Sequence, residues 1–162
     1  KISSLTDAKR AAEKIGVATD KCETIGEVMI AVFEEKVQPL ILQPTIVYDY
    51  PLEAAGLAKA TDDDEMFVSS FEVIVNGIEI GLSYCEQNDP KVLENYWKFA
   101  AERFKHGHLE AQQMDKDFIN ALIIGRPPTS GLVVGIDRLA ILLANQPSIR
   151  DVIFFPFMKP EG

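Results

Sequence analysis

The sequence is poor in the residues that staple or metallate a small fold. Its 162 residues include two cysteines, two histidines and one tryptophan. Cys22 and Cys85 stand alone and far apart, with no metal-ligand spacing, which excludes a disulfide framework and reads as reduced thiols of a cytoplasmic protein. His106 and His108 sit two apart in a Lys-Gly-His stretch without further ligands, so they read as loop residues rather than a metal site. No apolar run approaches the ~20 residues that span a bilayer, and no signal peptide is visible, so no membrane role is expected. Basic charge is also short: 16 Lys and Arg against 25 Asp and Glu give a net charge of −9. Autonomous nucleic-acid binding needs basic surface for phosphates, and this balance speaks against it. Repeats and low-complexity linkers are missing. The chain begins at Lys1 without a methionine, so its true N-terminus is expected upstream.

What is present suits one globular domain. Apolar residues make up 47% and charged residues 25%, an ordinary composition for a chain long enough to build a core. Thr6 to Ile15 reads as a short polar helix, capped by Thr6 or Ser4 and stopped by Gly16. Thr24 to Val37 reads as a helix with Ile25, Val28, Met29, Val32 and Phe33 on one face. Thr45 to Tyr50 is a strand ended by Pro51. Asp89 and Pro90 open a long helix to about Lys105, its buried stripe running through Leu93, Tyr96, Trp97, Ala100 and Phe104. Another helix starts at Met114 or Asp115 and ends at Gly125.

Between these lies a hairpin. Met66 to Val75 and Ile78 to Glu86 are strand-like runs joined by Asn76-Gly77, the strongest local signal for a two-residue type I′ turn. Regular pairing then sets 75 against 78, 74 against 79 and 72 against 81. Glu72 shares a face with Ile74 and hence with Glu79. Two carboxylates on one partly apolar face repel each other. Either both are solvated on an exposed face, or a divalent cation compensates them, and hard oxygen ligands favour magnesium or manganese.

The last third carries the sharpest pattern. A short apolar strand over 131–135 runs into an amphipathic helix starting near Asp137, with Arg138 in its first turn. A cation is poorly placed at a helix N-terminus, so something anionic or aromatic should compensate it. Ser148-Ile-Arg-Asp-Val-Ile-Phe-Phe-Pro156 follows at once, and then Met158-Lys-Pro-Glu161.

Gly131-Leu-Val-Val-Gly-Ile-Asp-Arg138 resembles motif 3 of class II aminoacyl-tRNA synthetases, and the Ser148 to Pro156 stretch is similar to the way lysyl-tRNA synthetases close their catalytic domain. Residues 38–59 resemble a family segment built of a Gln-Pro-Thr strand, Asp-Tyr-Pro, a glutamate and Ser-Pro-Leu-Ala-Lys. Glu53 and Lys59 match it, while Ala55 and Gly56 stand in place of Ser-Pro. Pro127-Pro-Thr-Ser-Gly131 keeps the family's Pro-Pro-Thr-x-Gly. Gly81-Leu-Ser-Tyr-Cys-Glu-Gln-Asn-Asp89 resembles the lysine-binding stretch, with Leu82 in place of an asparagine, and Val133 replaces a glycine of motif 3. Asp62 to Glu65 is acidic where the family is commonly basic, so contacts to the tRNA acceptor end are expected to be weaker.

The resemblance implies an α+β fold: part of the antiparallel class II sheet flanked by helices, with the helices before and after motif 3 covering one sheet face. Residues 1–162 would be the C-terminal portion of the catalytic domain, with motif 3 at 131–138 and motifs 1 and 2 and the anticodon-binding domain outside it. The fragment is expected to be inactive alone. The implied reaction activates lysine with ATP and Mg2+ to lysyl-adenylate and passes the lysyl group to tRNA(Lys), in a homodimeric full-length enzyme. Arg138 would be the catalytic cation, binding ATP together with Gly135, Glu72 and Glu79. Glu72 and Glu79 would also hold the metal. Glu86 would receive the lysine ammonium, with Tyr84 on the methylene stem and Gly131 beside it. For Glu86 to share the face of Glu79, the third strand needs a β-bulge near Gly81. Two other readings stay open: a paralogue that lysylates a protein, and a non-catalytic interaction module, the latter suggested by Leu82 and Val133.

Overall fold

The computed structural model describes residues 2–105 and 114–157. His106, His108 and the Met158 to Glu161 tail lie outside the described residues.

Helix α1 spans Leu5–Lys14, and Ser4 is its cap: its hydroxyl accepts from the Asp7 N–H at 3.2 Å. Helix α2 spans Ile25–Val32 and is capped by Thr24. The single helix expected to Val37 instead widens at Phe33 into a π-helical turn, then tightens into a 3-10 turn over Gln38–Leu40. Pro39 explains the break, since it has no N–H to continue the ladder and its ring crowds the carbonyl four residues back. Ala8, Ala12, Val17 and Val28 bury a small core between α1 and α2.

Four strands form one antiparallel sheet in sequence order: β1 Thr45–Pro51, β2 Phe67–Val75, β3 Ile78–Cys85 and β4 Ser130–Val134. Asn76 (φ 52°) and Gly77 (φ 74°) make the turn between β2 and β3. Its tip is docked onto the 38–42 segment, where the Gly77 N–H donates to the Ile41 carbonyl at 2.8 Å and Gln38 Nε2 to the Gly77 carbonyl at 3.0 Å. The edge strand β4 leaves Leu132 and Val133 more than half exposed.

Helix α3 spans Pro90–Lys105, with Asp89 accepting from the Lys91 and Val92 N–H groups. Leu93, Trp97 and Ala100 are buried, Tyr96 is partly buried, and Phe104 is exposed near the helix end, so the expected stripe is one turn shorter. Helix α4 spans Lys116–Ile124 and α5 spans Ile136–Leu143. Helix α5 lies against β3. Helix α4 instead packs on α3, with Leu122 joining Leu93 and Trp97 and Phe118 meeting the Trp97 ring edge-on at 5.9 Å. Its apolar residues Leu122 and Phe118 find aromatic surface on α3, so among the described residues α4 packs chiefly on that helix, whereas α5 lies on the sheet as expected of the helices flanking motif 3.

The Ala55-Gly56 pair has a packing reason. A Cβ at Gly56 would collide with the Tyr96 ring, which lies flat against the bare backbone there. Replacing Gly56 with Ala is expected to destabilise the chain by about 1–3 kcal/mol through overpacking. Urea denaturation would check this, and a loss below ~0.5 kcal/mol would mean that Tyr96 turns aside freely.

Candidate active site

The β-bulge decides which side chains meet. Val75 faces Ile78 and Ile74 faces Glu79, as regular pairing demands, but Val73 then faces Gly81 and Glu72 faces Leu82. One extra residue, Ile80, has been inserted on β3. The regular pairing of 72 with 81 is therefore wrong by one residue, and the anticipated bulge near Gly81 is present. Its consequence is geometric: Glu79 before the bulge and Leu82, Tyr84 and Glu86 after it come to one face of the sheet, together with Glu72.

On β4, Gly131 pairs with Tyr84 and Val133 with Leu82. The β4 strand begins and ends one residue earlier than expected, and α5 starts at Ile136 directly after Gly135. Gly135 is the N-cap residue, and a Cβ there would approach Arg138 Cδ at 3.3 Å, so the glycine keeps room for the arginine stem. The anionic compensation required by Arg138 is Glu79. Arg138 Nη1 lies 2.9 Å from Glu79 Oε2 and donates to the Glu79 carbonyl, also at 2.9 Å. A strand residue before the bulge thus holds the first-turn arginine with both its backbone and its side chain.

Glu72 is half-buried and its carboxyl is pushed above the usual carboxylate range. Burial is the main cause. Repulsion from Glu79 and Glu34 adds to it, and the Tyr50 hydroxyl and Arg138 partly oppose it. Tyr50 is raised in turn, first by burial and then by the neighbouring Glu72 carboxylate. Its hydroxyl interacts with Glu72 without reaching full hydrogen-bond geometry, and no other partner satisfies it among the described residues. Tyr84 is raised by burial and by Glu86.

The same face answers the question of a metal. Among the described residues no group of three or more Asp, Glu, His or Cys side chains gathers as an ion cage. Glu72 and Glu79 are two carboxylates, one desolvated and destabilised by the other. That set fits Mg2+, which keeps several waters and binds through one or two carboxylates plus substrate phosphates.

Glu86 occupies a different niche, across the Tyr84 ring. Its N–H donates to the Thr129 carbonyl at 2.9 Å, and Gly131 lies so close that a Cβ there would sit 3.2 Å from Glu86 Oε1. Arg126 Nη2 stands 3.6 Å from Glu86 Oε2. Sequence reasoning did not single out Arg126. It lies between the Gly125 that stops α4 and Pro127, a position that reads as a plain loop, and the only available signal was its position just ahead of the Pro-Pro-Thr-x-Gly turn. Tyr50, Ser70 and Glu34 were missed as well, although they stand with Glu72 around a cavity of about 410 Å³.

Comparison with known proteins identifies the family. The family described as tRNA synthetases class II (D, K and N) matches residues 4–159. A lysine–tRNA ligase of Thermosynechococcus vestitus is 46% identical over 162 residues, covering 99% of this chain and 32% of the relative. One from Nostoc punctiforme is 45% identical over 160 residues, covering 98% of this chain and 28% of its own length. A third, from Pelotomaculum thermopropionicum, is 44% identical over 162 residues, covering 99% and 32%. The chain therefore spans about a third of the length of the curated relatives it matches. All three are lysine–tRNA ligases; none is a protein-modifying paralogue or a non-catalytic module.

Proposed function

The chain belongs to the class II tRNA synthetases of the D, K and N type, and from that footing we propose that it forms the C-terminal portion of the catalytic domain of a lysine–tRNA ligase. The full-length protein would activate lysine with ATP to lysyl-adenylate and transfer the lysyl group to tRNA(Lys), as a cytoplasmic homodimer. No helix among the described residues is long and apolar enough to cross a membrane.

The observation that carries this reading is the bulge at Ile80, which gathers Glu72, Glu79, Tyr84 and Glu86 on the face reached by Arg138. Arg138 is the cation for the ATP phosphates and adenine: its flat guanidinium can stack and donate at once, which a lysine cannot do. Gly135 keeps the approach to Arg138 open. Glu72 and Glu79 would hold Mg2+, which when bound would supply charge neutralisation on the phosphates; the lysine carboxylate would attack the α-phosphate of ATP, and pyrophosphate would leave. Most of the work is positioning and charge neutralisation. Glu86 takes the substrate ammonium, Tyr84 covers the methylene stem, and Gly131 leaves space beside the carboxylate. Arg126, whose Nη2 stands 3.6 Å from Glu86 Oε2, would share that carboxylate with the ammonium.

The test is ATP–pyrophosphate exchange by the full-length protein, scanned across the amino acids. Lysine should support exchange and every other amino acid should fall at least ~10²-fold lower, because buried polar groups are left unpaired by the wrong side chain. Exchange should be lost in Glu86→Ala. Absence of exchange with every amino acid would overturn the reading, and Leu82 and Val133, paired across β3 and β4, would then be the residues to revert first.

A further inference from the structure

The Glu86 carboxylate faces a cation of the chain itself. Arg126 Nη2 stands 3.6 Å from Glu86 Oε2, close enough for an ion pair and too long for a hydrogen bond. The two side chains are only 24% and 26% exposed, so water and salt screen their charges incompletely. What seats the arginine is an element outside the sheet. Its guanidinium carbon lies over the Phe118 ring of α4, 5.9 Å from the ring centre, and an aromatic face attracts a cation. Phe118 in turn meets Trp97 of α3 edge-on, so the α3–α4 pair fixes the seat. Asp115 lines the same niche, but its carboxylate caps α4 by accepting from the Phe118 N–H at 3.0 Å. Glu86 is the carboxylate paired with Arg126.

A resident cation has a consequence for any second one. A carboxylate has lone pairs for more than one donor. Oε2 is turned to Arg126, while Oε1 lies towards Gly131, where a Cβ would stand 3.2 Å away. An ammonium can therefore reach Oε1 beside the bare glycine without expelling the guanidinium. It then shares one negative charge with a second positive one, and like charges in a partly desolvated niche repel. Arg126 cannot relieve this by losing a proton, because a guanidinium stays charged. Phe118 holds the guanidinium and Pro127 restricts the backbone of the residue before it, so the side chain does not simply swing aside. A neutral group of the same size meets no such repulsion.

We propose that Arg126 sets the lysine affinity of the site: as a resident cation beside Glu86 it weakens capture of the substrate ammonium, so the site works at a higher lysine concentration than Glu86 alone would allow. This rests on the reading of Glu86 as the ammonium acceptor.

The full-length protein is titrated calorimetrically with lysine and with ε-hydroxynorleucine, whose hydroxyl stands where lysine has its ammonium. Arg126→Met and Arg126→Gln should each bind lysine about 3- to 10-fold more tightly than the parent, with ε-hydroxynorleucine changed by less than about twofold. The KM for lysine in pyrophosphate exchange should fall by the same factor. Arg126→Lys keeps the charge and should bind lysine no more tightly than the parent. A merely structural role would move both ligands together. Three results would overturn the proposal: no gain in lysine affinity beyond about twofold in either neutral variant, an equal gain for ε-hydroxynorleucine, or an equal gain in Arg126→Lys. Exchange by the parent separates two kinds of failure. With lysine-dependent exchange present and no gain in the variants, Arg126 is a structural neighbour and the reading of Glu86 stands. With neither lysine binding nor exchange in any of these proteins, the reading of Glu86 falls and this proposal falls with it.

Discussion

Replacing Arg138 with alanine should lower lysine-dependent ATP–pyrophosphate exchange in the full-length protein by about 10²–10³-fold, the usual cost of removing one preorganised donor from a charge-developing site. The expectation rests on placement. Arg138 is held by the carbonyl and the carboxylate of Glu79, so its guanidinium stands beside the carboxylate pair before any phosphate arrives. Its side chain is 49% exposed, and an ion pair so open to water contributes ~0–1 kcal/mol to stability. Thermal unfolding should therefore barely change while exchange collapses, which separates a role in the reaction from a role in the fold. Arg138→Lys should recover little, because a point charge cannot stack on adenine and donate in parallel. Exchange within about threefold of the parent in Arg138→Ala would remove Arg138 from the mechanism.

The parts of the site legible in the sequence were those fixed by local rules. Asn76-Gly77 sets the hairpin and hence the shared face of Glu72 and Glu79. The family resemblance, which puts Glu86 on that face, then implies the bulge near Gly81, and the structure has it at Ile80. What stayed hidden depends on distant chain. In Thr45 to Tyr50 regular alternation puts Tyr48 and Tyr50 on one face. Asp49 adopts φ 61° and the pairing with β2 slips there, so Tyr48 points outward, 69% exposed, while Tyr50 turns into the cavity beside Glu72. Nothing in Tyr-Asp-Tyr announces that kink, since aspartate tolerates the left-handed region without requiring it. The same limit applies to Gly26. A Cβ there would meet Pro51 and Glu53, and Glu53 Oε2 accepts from the Gly26 N–H at 2.7 Å, tying the start of α2 to the loop after β1. Periodicity finds α2, but not the loop that anchors it.

Replacing Glu72 with glutamine should have opposite effects on stability and on activity. Burial, with repulsion from Glu79 and Glu34, raises the Glu72 carboxyl in the folded chain. A carboxyl raised by folding disfavours its own ionised form. The folded state is therefore unpenalised below the ordinary glutamate range, and it loses stability as pH rises through the raised value. Glutamine keeps the shape and removes that charge. The variant should melt at a higher temperature than the parent near pH 7.5, and the difference should vanish at about pH 4, where both side chains are neutral. Exchange should nevertheless fall by about 10²-fold or more, because one of the two carboxylates facing the phosphates is lost. Mg2+ with ATP should raise the melting temperature of the parent more than that of the variant, since only a ligand bound to the folded state stabilises it. Melting curves at the two pH values and exchange rates on the same preparations check all three. A variant that melts lower than the parent near pH 7.5 would mean that Glu72 is a structural hydrogen-bond partner of Tyr50. A variant that melts higher but exchanges normally would leave Glu79 as the sole carboxylate for the metal.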